Sequence, residues 1–127
     1  MGIRLARLFL LTVFGSLCLG VWTGSASLPP FQITIESGSP YFFPASATVA
    51  AGAPIQWDNP TASHHTVTHD GCQLDGSCAF DSGSMAPNES FSLPGLPPGR
   101  YAYHCTLHPI MRGVLTVVEQ APLPSST

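Results

Sequence analysis

Leu96-Pro-Pro-Gly-Arg-Tyr-Ala-Tyr-His-Cys105 is a turn that feeds a strand. Two prolines and a glycine make the turn. From Arg100 onward side chains alternate across the strand, so Tyr101, Tyr103 and Cys105 share one face. The alternation aims Cys105 inward and His104 outward. A tyrosine shortly before a cysteine, just past a corner, matches the tyrosine corner of Greek-key sandwiches, where a phenol hydroxyl bonds back to the backbone and pins the crossing. The plain alternative is two interfacial tyrosines in a strand.

The flanking sequence has the same character. Thirteen prolines and twelve glycines interrupt the chain too often for long helices. Between them lie short β-prone runs. Phe31-Gln-Ile-Thr-Ile35 alternates apolar and polar residues, as a half-buried strand does. Residues 41–43, 47–49, 54–58, 65–69, 90–93, 100–105 and 113–118 are further predicted strands. No repeat or heptad pattern is present. The expectation is an all-β, Greek-key β-sandwich of about eight strands.

The first residues read differently. Arg4 and Arg7 precede an uncharged apolar run, Leu8 to Val21, and small residues follow at Gly24-Ser-Ala-Ser27. That order is a secretory signal, expected over residues 1–26. An uncleaved anchor is the alternative, but the run is short of the roughly 20 residues a membrane span needs. Cys18 follows a poor approach sequence for lipidation. The expected domain then covers residues 27–120, with a disordered tail over 121–127. Loss of the leader would leave Arg100 and Arg112 as the strong cations, facing seven carboxylates, and the chain has no lysine. No basic face is available for nucleic acid. An acidic protein is instead steered toward a basic partner surface.

Cys105-Thr-Leu-His108-Pro-Ile-Met111 places a thiolate, an imidazole and a thioether in one short loop. Cys105 ends a strand, and Gly113 starts the next. Pro109 fixes φ between the two later donors. A second imidazole from the His64-His65 pair, on an upstream strand, would complete two nitrogens, a thiolate and a weak thioether. That set suits type 1 copper. Singly, Met111 would read as core filler, His108 as a surface histidine and Cys105 as half of a disulfide.

Residues 101–113, Tyr-Ala-Tyr-His-Cys-Thr-Leu-His-Pro-Ile-Met-Arg-Gly, resemble the ligand loop of the cupredoxin (blue copper) family. The Cys-x-x-His-x-x-Met spacing is the short one of its amicyanin branch, whereas plastocyanins carry a longer gap. Phe43-Pro-Ala-Ser-Ala-Thr-Val49, Gly52-Ala-Pro-Ile-Gln-Trp-Asp-Asn59 and Asp81-Ser-Gly-Ser-Met-Ala-Pro-Asn-Glu-Ser-Phe91 are similar to the family's framework segments. The resemblance implies one type 1 copper ion held by His65, Cys105, His108 and Met111. It selects His65 over His64 because Thr66 and Val67 follow it. It also implies outer-sphere transfer of one electron, no enzymatic activity, and an exposed edge on His108, here bracketed by Leu107, Pro109 and Ile110.

Gly71-Cys72-Gln-Leu-Asp-Gly-Ser-Cys78 looks like an insertion relative to amicyanins. In an exported chain a cysteine pair around an Asp-Gly turn reads as a disulfide. The rival is a second metal site, with His69 joining the two cysteines. The expected protein is a periplasmic or secreted monomer that meets transient redox partner proteins, with no nucleic acid and no membrane insertion after leader removal. Storage or delivery of copper is the alternative function, and zinc the alternative metal.

Overall fold

A computed structural model of the chain describes residues 20–21, 24, 27–38 and 40–120. The expected leader cleavage, Cys18 and the expected tail lie outside the described residues. Gly20, Val21 and Gly24 are exposed and have no regular structure. Among the described residues no helix is long and apolar enough to cross a membrane.

Among the described residues, eight strands form two four-stranded sheets. They are β1 (Phe31–Ile35), β2 (Phe42–Phe43), β3 (Ser46–Ala50), β4 (Ile55–Asp58), β5 (Thr68–His69), β6 (Ser90–Leu93), β7 (Gly99–His104) and β8 (Arg112–Val118). One sheet has the order β2-β1-β4-β6 and the other β3-β8-β7-β5. The pairs β1/β4 and β3/β8 are parallel, and the remaining neighbours are antiparallel. Parallel neighbours in so short a chain require crossings between sheets, so the architecture is the expected Greek-key sandwich.

The core lies between the sheets because each inner strand alternates. Ile33 and Ile35 of β1, Ile55 and Trp57 of β4, and Leu115 and Val117 of β8 are all buried. Burial of each aliphatic side chain contributes about 1.5–3 kcal/mol. Trp57 centres an aromatic cluster, with Tyr103 edge-on at 5.6 Å and Phe80 and Phe91 at 5.6 and 5.7 Å. The tyrosine corner is present: the Tyr101 hydroxyl donates to the Pro97 carbonyl at 2.8 Å. Tyr103, two residues on, is core instead, with its ring 4.8 Å from that of Phe42.

Two expectations are corrected. The predicted strand over residues 65–69 is broken, and only Thr68–His69 pairs with β7. His65 bridges to Met85 instead, and the Val67 N–H donates to Ser82 Oγ at 2.8 Å. The segment runs beside residues 80–85 along its whole length, from His65–Met85 to Thr68–Asp81, and meets β7 only at Thr68–His69, which leaves His65 beyond the paired part of the sheet. The second correction is His104. It faces away from the core as expected, yet it is buried, because the segment after β5 folds over it. That segment contains a single helical turn, α1 (Gly71–Leu74), which the sequence reading did not anticipate.

Candidate metal centre

Cys105 immediately follows β7 and is fully buried. Its N–H donates to the Met111 carbonyl at 3.0 Å, and the Met111 N–H donates to the His108 carbonyl at 2.8 Å. These two bonds close the loop on itself just past the last β7/β8 pair, His104 with Arg112. Thr106 is anchored by the neighbouring segment ahead of β5, its N–H donating to Thr66 Oγ1 at 2.8 Å.

Three of the four sequence-predicted ligands converge. His65 Nδ1 is 3.9 Å and His108 Nδ1 3.7 Å from the Cys105 sulfur. All three donor atoms lie within 4.8 Å of one another. Ligands bound about 2.0–2.3 Å from a first-row metal sit about 3–4 Å apart, so the nitrogen–sulfur separations fit one ion. The fourth predicted residue, Met111, is fully buried and its backbone is bonded to both Cys105 and His108. His64 is exposed, so of the adjacent histidines it is His65 that faces the sulfur.

The donors are chemically prepared. His65 is held below the ordinary imidazole pKa, first by burial and then by the charges of His108 and His64. It is thus kept neutral, as a ligand must be. Its other nitrogen, Nε2, lies 3.1 Å from Thr61 Oγ1, which in turn donates to Asn59 Oδ1 at 2.7 Å. Asn59 is itself fixed by donating to the carbonyls of Ser63, Met85 and Ala86. Because Thr61 gives its proton to Asn59, it accepts from Nε2–H. That leaves the Nδ1 lone pair free toward Cys105. The Thr66 N–H donates to the Cys105 sulfur at 3.2 Å and helps orient it.

The sequence reading missed Asn59 and Thr61. A polar pair in a loop carries no sign of burial, and only the fold buries both. The second metal site is not formed. Cys72 and Cys78 are joined as a disulfide, with Cα atoms 4.0 Å apart, which removes both thiolates. His69 accepts the Ala79 N–H at 3.2 Å and packs against Phe80 and Tyr101.

His108 is half-buried, and Leu107, Pro109 and Ile110 around it are exposed. Ile110 is the most open of these, at 85%. One buried thiolate and two imidazoles, rimmed by apolar side chains, form a cluster of mixed softness that suits copper.

No family model matches the chain. It is 36% identical over 69 residues to amicyanin from Paracoccus denitrificans, covering 54% of this chain and 52% of that protein. The aligned region thus spans about half of that relative. Plastocyanin from Scenedesmus fuscus is 30% identical over 93 residues, covering 68% of this chain and 95% of that protein. Among solved structures, the Cu(I) form of an amicyanin variant superposes with a TM-score of 0.63 at 26% identity, covering 74% of this chain and 87% of that one. A sandwich of this topology, a Cys-His-His cluster at its end and a near full-length likeness to a plastocyanin carry one conclusion: the chain belongs to the cupredoxin family.

Proposed function

We propose that the protein is an exported blue copper electron carrier, with His65, Cys105, His108 and Met111 holding one copper ion. The observation that carries this reading is the Cys105 sulfur, fully buried and faced by two imidazole nitrogens at 3.9 and 3.7 Å. Copper, when bound, supplies a one-electron Cu(II)/Cu(I) couple whose two states both accept sulfur and imidazole donors.

The chain's own groups do the rest. The backbone bonds among Cys105, His108 and Met111 hold the donors in place whichever oxidation state is present. The Asn59–Thr61 pair keeps His65 in one tautomer. Burial of Cys105 and Met111 excludes water from the sulfurs. The apolar rim of Leu107, Pro109 and Ile110 offers a redox partner a small contact that releases quickly. No bond to a substrate is required.

Stopped-flow mixing of the copper-loaded protein with a small one-electron oxidant, with metal content measured afterwards, tests the carrier role. Reversible exchange with copper retained is expected. Copper that passes readily to an acceptor protein, without redox cycling, would make the chain a delivery protein instead.

A further inference from the structure

Asp70 lies outside the donor cluster, yet it reaches both ends of the ligand loop. Its Oδ1 is 2.6 Å from His104 Nδ1, and its Oδ2 accepts from an Arg112 guanidinium N–H at 3.2 Å. His104 directly precedes Cys105, and Arg112 directly follows Met111. The two are also the last cross-strand pair of β7 and β8. A single carboxylate thus ties together the strand ends from which the thiolate and the thioether depart. It does so from the face opposite the core.

Asp70 is itself held. Its N–H donates to the Ala102 carbonyl at 2.9 Å, and its own carbonyl accepts from the Gln73 and Leu74 N–H groups at 3.1 and 3.2 Å. The turn it begins is closed by the Cys72–Cys78 disulfide. The Asp70 side chain is 21% exposed and that of His104 9%, so their contact is shielded from solvent, whereas Arg112 is 63% exposed. The strong arm of the bridge is therefore Asp70–His104, and Arg112 closes it.

We propose that Asp70 is a positioning residue for the metal centre: bridging His104 and Arg112, it sets the separation of Cys105 and Met111, with the disulfide-closed turn as its support. The proposal rests on the copper reading for its redox consequence only. A loosened bridge lets the Cys105–Met111 backbone bond open and the Met111 donor recede. A weaker thioether donor would disfavour Cu(II), and the reduction potential would rise.

The test uses the full protein and the variants Asp70→Ala, Asp70→Asn and Arg112→Ala. In the copper-free protein, exchange of the Cys105 amide hydrogen should accelerate by about tenfold in Asp70→Ala, the loss expected for a shielded charge-assisted bond. Asp70→Asn, which keeps an acceptor, should fall between. In the copper-loaded protein, measured in high salt to screen surface charge, Asp70→Ala and Arg112→Ala should both raise the potential. A purely Coulombic role predicts opposite shifts, because the two variants remove opposite charges. Wild-type exchange rates in Asp70→Ala, or shifts of opposite sign, overturn the proposal. Arg112→Ala alters an exposed side chain and serves if Asp70→Ala misfolds. A wild-type protein that binds no copper would defeat the copper reading, while the amide exchange still judges the bridge.

Discussion

Cys105 accepts a backbone N–H from Thr66 and is faced by two imidazole nitrogens, so its sulfur is oriented before any metal arrives. The proposed tuning residues are Met111 and Thr61. Met111→Leu keeps the volume and removes the thioether, which should raise the reduction potential of the copper-loaded protein; an unchanged potential in voltammetry would mean Met111 is not a ligand. Thr61→Val strands His65 Nε2 without its acceptor, and copper affinity should fall about 10- to 100-fold by competition with a chelator. Tyr103 gives a pH dependence. Burial pushes its phenol from an ordinary 10.0 up to about 12. The raised value means the folded state favours the protonated phenol. That contribution is fully present below pH 10 and is lost as pH rises toward about 12, by up to about 3 kcal/mol. Tyr103→Phe should flatten that alkaline loss in denaturant titrations without lowering stability at pH 7, since the buried hydroxyl makes no hydrogen bond.

Among the elements, β7 and β8 carry the site, and their close approach depends on Gly113. A Cβ at Gly113 would come within 2.2 Å of the buried Tyr103 ring. Gly113→Ala should therefore destabilise the fold by about 1–3 kcal/mol through overpacking, read from a shifted denaturation midpoint. The disulfide-closed turn makes a contribution of similar size. Paired replacement of Cys72 and Cys78 by serine should cost roughly 2–2.5 kcal/mol in the chain-entropy model. At this scale the sequence was legible wherever one face was buried. Period-two alternation marked β1 and β7, and it turned Cys105 inward. It failed where burial came from somewhere other than the sheet. The run at residues 65–69 looks like one strand because each residue suits β structure, yet its hydrogen-bond partners lie in two different segments. His104 reads as an outward residue, but the inserted turn and Asp70 cover it. Short-range pattern carries no information about which distant loop folds back.

The molecule as a whole is acidic, with a net charge of −3 at pH 7 and no lysine. The rim around His108 is apolar and carries no acidic residue between Cys105 and Met111. In the proposed carrier role, attraction to a partner would be long-ranged and electrostatic, and contact short-ranged and apolar. Electron exchange with a small cationic complex should be faster than with an anionic one of equal driving force. The difference should shrink as ionic strength approaches about 1 M, where the Debye length is about 3 Å. The ligand motif was legible because its spacing is local to one loop, whereas the Asn59–Thr61–His65 chain was not, since its burial exists only once the sheets pack. The proposed electron-carrier role depends on a Cu(II)–thiolate bond at Cys105. The visible absorption spectrum of the oxidised, copper-loaded protein, recorded beside Cys105→Ser, tests that bond most directly. An intense thiolate-to-copper band in the wild type that vanishes in Cys105→Ser is predicted. A colourless Cu(II) form, or a band that persists without the cysteine, would contradict the account.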